Sequence, residues 1–168
     1  MVNALASRGR RRRTMDIRAA TVEDHQALLA IWLASVGATH RFLSEREIQT
    51  LLPMTSTYLA SPGHDLWVLC DDTVPIGFMG LDGSSVEALF IAPDRIGRGG
   101  GRALIAHART LAGRPLEVDV NERNQDALAF YRAAGFSVIG RSPTDDQGRP
   151  YPVVHMREGH AATDGKPA

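Results

Sequence analysis

Residues 88–105 constrain the fold more than any other stretch of this chain. Five apolar residues, Ala88, Leu89, Phe90, Ile91 and Ala92, run into Pro93-Asp94-Arg95-Ile96-Gly97-Arg98-Gly99-Gly100-Gly101-Arg102. An apolar helical pattern follows. A strand therefore ends, four glycines in five positions turn the chain, and a helix begins. A glycine-rich turn at a helix start leaves several N–H groups aimed at one spot, and the helix dipole adds partial positive charge there. Arg98 and Arg102 add full charges. The segment reads as a socket for a phosphorylated ligand, best a pyrophosphate.

Two common phosphate motifs do not fit. A Walker loop ends in Gly-Lys-Ser/Thr, whereas Gly101 precedes Arg102 and Ala103. A dinucleotide fingerprint needs G-x-G-x-x-G. Counting from Gly97 the third glycine is Arg102, and counting from Gly99 it is Leu104. What fits is G-x-G-x-G after a strand, carried by Gly97, Gly99 and Gly101, a pattern that resembles the one in a known family of acyl-CoA binders. A plain surface loop is the alternative.

Around this unit the periodicities predict a complete order of elements. A strand at 16–20 leads to a helix capped by Thr21 and Asp24, with Ala27, Leu28, Ile31, Trp32 and Ser35 as its inner stripe and Gly37 as its end. Ser44 and Glu47 form a second capping box for a short helix that Pro53 stops, with a further helical piece at 55–60. Strands follow at 66–70, 76–81 and 86–91, then a helix at 99–111 and a strand at 116–120. A helix at 124–134 ends at Gly135, and strands at 138–141 and 151–156 close the chain. The expected fold is α/β, a mixed and mostly antiparallel central sheet with helices on both faces, in the order β-α-α-β-β-β-α-β-α-β-β.

With 168 residues the chain suits one domain, read as residues 15–158. A basic tail (1–14, with Arg8 and Arg10 to Arg13) and a polar tail (159–168) are expected to be disordered. The formal net charge is zero, so no global field draws the domain to nucleic acid or a membrane surface. The lone Cys70 excludes an internal disulfide and a cysteine metal cluster. It sits in the apolar run Leu66 to Cys70 as a core residue. No metal is expected, and the location is expected to be cytoplasmic, as a monomer or homodimer.

Two further constellations carry chemistry. Asn124 and Tyr131 stand seven residues apart and share one helical stripe, so they can serve one cleft. A phenol can protonate a departing thiolate, and an asparagine can bond amides of an extended ligand. A core tyrosine and a helix cap are the other reading. In the strand at 116–120, Leu116, Val118 and Val120 face one way and Glu117, Asp119 and Asn121 the other. Internal strands of a β-α-β unit are usually apolar on both faces, so the polar face borders a wet cleft, or else reflects exposure near a strand end or a salt bridge. Glu87 adds a carboxylate one strand earlier, and such a cleft could receive an amine.

Together these residues resemble the Gcn5-related N-acetyltransferase (GNAT) family over residues 16–158, nearly the whole ordered chain. Asn124-x-x-Ala127-x-x-Phe130-Tyr131-x-x-x-Gly135-Phe136 is similar to one family signature, and the glycine socket to another. Ala38-Thr39-His40-x-Phe42-Leu43-Ser44, Gly140-Arg141-Ser142 and Gly148-x-Pro150-Tyr151-Pro152 look like a bacterial subgroup. One departure stands out: Ile96 occupies the place of a usual Gln or Arg, and the adjacent Arg95 is a possible substitute.

The resemblance implies acetyl transfer from acetyl-CoA to a primary amine, on a small molecule or a peptide, by direct attack in a ternary complex. It implies that backbone groups of Leu89, Phe90 and Ile91 hold the pantetheine arm. Amides of Gly97, Arg98, Gly99, Gly100, Gly101 and Arg102 would hold the pyrophosphate. Asn124 would bond the arm and Tyr131 would act as general acid. Glu87 and Asp119, with His40, are the candidates for the base. His40, Phe42 and Asn121 would border the acceptor, whose pocket comes from the first helices and the last hairpin. A non-catalytic acyl-CoA sensor is the other function such residues would serve.

Overall fold

The computed structural model describes residues 14–61 and 65–159, so the parts of the two predicted tails at 1–13 and 160–168 lie outside the described residues. Seven strands, β1 (Met15–Ala19), β2 (Asp65–Asp71), β3 (Val74–Asp82), β4 (Ser85–Ile91), β5 (Glu117–Asn121), β6 (Phe136–Ser142) and β7 (Val153–Glu158), form one sheet in the order β1-β2-β3-β4-β5-β7-β6. Only the β4–β5 pair is parallel. Helices α1 (His25–Thr39) and α2 (Glu45–Ala60) pack on one face. Helices α3 (Gly100–Ala112) and α4 (Gln125–Ala133) pack on the other. Alternation along the strands feeds both layers: Val68 and Phe78 turn to α1 and α2, while Leu69 and Met79 turn to α3.

The predicted order of elements stands, with two corrections. Gly37 does not end α1, which runs on to Thr39. Its backbone is not left-handed, and the helix closes instead where His40 N–H bonds the Val36 carbonyl at 2.9 Å. Pro53 does not end a helix either, because α2 is continuous from Glu45 to Ala60. Proline forfeits one amide bond, but Ile48, Leu51, Leu52, Tyr58 and Leu59 on both sides pack against the same core. Tertiary burial outweighs the local penalty. Pro53→Ala is accordingly expected to raise unfolding stability by about 2 kcal/mol. A urea midpoint at or below that of the parent would contradict this.

Arg18 clamps Asp24 with two parallel bonds of 2.7 and 2.8 Å, tying β1 to the start of α1. The guanidinium holds the Asp24 carboxyl down to about 2, from an ordinary 3.8. A lowered folded-state pKa means stability present above pH 3.8 and lost as pH falls towards 2. The loss is about 2 kcal/mol at most, since Arg18 is half in water. Asp24→Asn should flatten the acid limb of a stability–pH curve. An unchanged limb would remove the clamp from the account.

The feature that shapes the site is a parting of strands. β4 and β5 pair only at Ser85↔Glu117 and Val86↔Val118. Beyond Val86 the β4 backbone has no strand on that side among the described residues. A bulge begins at the same point: Gly80 pairs Ala88 and Leu81 pairs Val86, so Glu87 is an extra residue. The wedge between β4 and β5 opens towards the glycine turn.

Candidate active site

The wedge continues into a cavity of about 590 Å³. Its walls come from the end of α1, from β4, from the glycine turn and from α4. Of the residues expected around an acyl-CoA, Leu89, Phe90, Ile91, Gly97, Gly99, Gly100, Gly101, Arg102, Asn124 and Tyr131 line it together. Arg98 does not, and its side chain is exposed to solvent.

The glycines divide into two kinds. Gly97 and Gly99 adopt φ of 80° and 86°, the left-handed region where a side chain is strained. Gly100 and Gly101 instead permit close packing. A Cβ on Gly100 would lie 2.8 Å from Leu69 Cδ2, and one on Gly101 2.9 Å from the Phe130 ring. The start of α3 is thereby pressed against the cavity. Ser44 caps α2 and Asn124 caps α4 with a side chain, but α3 has no side-chain cap. Its first amides are left for a ligand, which is how a helix N-terminus receives an anion.

Asn124 is the helix cap that the sequence offered as one of its two readings, and it also lines the cavity. Its Oδ1 accepts the Ala127 N–H at 3.1 Å, closing the first turn of α4, while its amide nitrogen is left at the cavity wall. Tyr131 is 7% exposed, with Phe130 and Phe136 edge-on at centroid distances of 5.1 and 5.3 Å. Its hydroxyl has no hydrogen-bond partner among the described residues. The ring is buried but the hydroxyl oxygen is not sealed in, so it reaches the cavity that the ring lines. Burial pushes its pKa up, so it keeps its proton throughout the neutral range.

The amine-side candidates lie elsewhere. Glu87 and Asp119 follow the last paired residues of β4 and β5 and turn to the α1–α2 face, outside the cavity lining. Glu87 accepts a long bond from Tyr58 at 3.4 Å. Asp119 accepts from His155 Nδ1 at 2.6 Å, and His155 Nε2 meets Ser142 Oγ at 2.7 Å. His155 carries no motif, and neither it nor Ser142 was visible as a partner of Asp119, because strand register alone brings them together. Glu117 is paired with Arg157 at 3.4 Å. The polar face of β5 is thus both exposed and ion-paired.

Three expectations change. Asn121 does not border the cavity: its side-chain carbonyl accepts the Arg123 N–H at 2.9 Å and builds the turn into α4. Phe42 lines a second, neighbouring cavity of about 490 Å³ with Arg41 and Arg123, and touches the first only through His40, at 5.3 Å between rings. Arg95 lines the main cavity beside Ile96, but its guanidinium is held by Asp71 and, at 3.5 Å, by Asp94. It is not free to replace the missing signature residue.

Residues 62–138 match the acetyltransferase (GNAT) domain family. The peptidyl-lysine N-acetyltransferase YjaB of Salmonella typhimurium is 45% identical over 143 residues, which is 84% of this chain and 97% of that protein. The chain belongs to the GNAT acetyltransferase family. The solution structure of apo-form YjaB from Escherichia coli superposes with a TM-score of 0.80 at 42% identity, covering 88% of this chain and 99% of that one. An N-acetyltransferase from Thermoplasma acidophilum, solved in complex with coenzyme A, shares the fold at 18% identity and a TM-score of 0.71. An acetyltransferase of this family takes acetyl-CoA as its donor, and the uncapped α3 terminus and unpartnered Tyr131 hydroxyl fit that molecule. Among the described residues no His, Cys, Asp and Glu group could hold a metal ion, and no helix is long and apolar enough to cross a membrane.

Proposed function

We propose that the protein transfers an acetyl group from acetyl-CoA to the ε-amine of a lysine in a peptide or protein. The single observation that carries this is the parted β4 strand. Past the bulge β4 leaves β5 and leads through the glycine turn to the uncapped start of α3, and Tyr131 lines the same cavity. The curated relatives, named as peptidyl-lysine acetyltransferases, support lysine as the acceptor.

Acetyl-CoA supplies an acyl group on a thioester sulfur, a good leaving group for attack by an amine. Amides of the glycine turn hold the diphosphate, assisted by Arg102. The backbone of Leu89 and Ile91 bonds the pantetheine amides as a neighbouring strand would. Asn124 offers its side-chain N–H to the same arm. Tyr131 donates its proton towards the leaving sulfur. The apolar walls that raise the phenol raise a buried thiol as well, so acid and leaving group stay matched. Glu87 and Asp119, on the amine side of the parting strands, draw the lysine ammonium to the mouth.

The test is mass spectrometry of lysine peptides with thiol release measured in parallel. Acetyl-lysine appearing in step with free thiol is the expected result. Acetyl-CoA binding without thiol release across a broad amine panel would make the protein a sensor instead.

A further inference from the structure

Neither carboxylate candidate for the base lines the main cavity, but His40 does. Its ring sits at the end of α1, 5.3 Å from Phe42 and 6.2 Å from Phe90 between centroids. Its backbone closes the helix. The tautomer is determined by a count of protons. Thr39 Oγ1 donates its only proton to the Ser35 carbonyl oxygen at 2.7 Å. Thr39 Oγ1 also lies 2.9 Å from His40 Nδ1. With the hydroxyl proton already used, the ring must be the donor, through Nδ1–H. A neutral imidazole has one N–H, so Nε2 carries a free lone pair. No residue among those described bonds Nε2.

We propose that His40 is the base that takes the proton from the attacking amine, on Nε2, with Ser35 and Thr39 as positioning residues that hold the tautomer. This rests on the acetyl-transfer reading above. The lysine ammonium first gives up one proton to solvent, and the lone pair of the neutral amine then forms the C–N bond as the C–S bond breaks. The nitrogen becomes far more acidic as that bond forms, and its proton passes to His40 Nε2. The sulfur takes the Tyr131 proton. Solvent exchange then returns the proton from His40 to Tyr131, and the products are an amide and a thiol.

Burial lowers the His40 pKa below its ordinary 6.5, so the ring is neutral at physiological pH. The other titratable groups facing the cavity are Arg95, Arg102, Asp126 and Tyr131, and none is bonded or ion-paired to His40. The base form is therefore lost only as pH falls through that depressed value.

Three measurements test this. The first is the ring ¹⁵N spectrum of the free protein, which distinguishes the two neutral tautomers without any substrate. A protonated Nδ1 with a bare Nε2 is expected, and the opposite tautomer overturns the proposal. The second is kinetics on a lysine peptide with acetyl-CoA affinity read separately by calorimetry. His40→Asn keeps a donor for Thr39 but has no base, and its kcat should fall by about 10²-fold with acetyl-CoA affinity within about twofold. Thr39→Val should lose several-fold in kcat, and Thr39→Ser should restore it. The third is the pH profile, whose acid limb below pH 6.5 should be absent from His40→Asn. An active parent with His40→Asn at equal kcat overturns this proposal alone. A parent that acetylates no amine overturns the acetyl-transfer reading and this proposal with it.

Discussion

Tyr131→Phe is expected to lower kcat by about 10²-fold while acetyl-CoA binds nearly as before. The separation follows from where the hydroxyl stands. The ring packs edge-on between Phe130 and Phe136, and phenylalanine keeps both contacts. The hydroxyl has no partner to lose among the described residues, so stability should hold within about 0.5 kcal/mol. Single-turnover thiol release, set beside a calorimetric Kd and a urea midpoint, checks all three at once. A variant that turns over like the parent would remove Tyr131 from the chemistry. One that fails to fold would mean that the phenol is a structural group.

Gly101→Val should act on binding instead. Its Cβ would sit 2.9 Å from Cε2 and Cζ of Phe130 and 3.8 Å from Leu89 Cδ2. The Phe130 ring has to swing, and it is the neighbour that holds the Tyr131 ring. Overpacking of this kind costs about 1–3 kcal/mol of stability. It also narrows the cavity where α3 and α4 meet, so acetyl-CoA affinity should fall more than about tenfold, since lost placement of even one charged contact costs that much. Gly37→Ala is the control. Its Cβ would meet nothing within 4 Å and its backbone is helical, so binding should be unchanged and α1 slightly firmer. Gly101→Val with parental affinity would mean that the α3 terminus does not hold the cofactor.

What the sequence made legible is local. The glycine socket is visible because glycine has few other reasons to recur four times in five positions between an apolar strand and an apolar helix. The shared face of Asn124 and Tyr131 follows from a spacing of seven on a helix. Non-local facts stayed hidden. Arg95 looked available because Asp71, its partner, is 24 residues away at the end of β2. Asp119 read as facing either a cleft or a salt bridge, and its partner could not be named because only the register of β5, β7 and β6 brings His155 and Ser142 beside it. Pro53 looked like a stop signal because its cost is local and the packing that overrides it is not. The parting of β4 from β5 has no residue signature, although it is what makes room for a ligand. His40 was identifiable as a candidate, but its tautomer needed the positions of Ser35 and Thr39 on the last turn of α1.

Titration with acetyl-CoA, followed by calorimetry and thermal unfolding, bears most directly on the claim that the open β4 edge and the bare α3 terminus bind the donor. At a hundredfold excess over Kd the bound state gains about 2.7 kcal/mol, a rise in Tm of roughly 5–10 °C for a domain of this size. Saturable heat together with that rise is the predicted result. At millimolar acetyl-CoA, a flat thermogram with an unmoved Tm would contradict it.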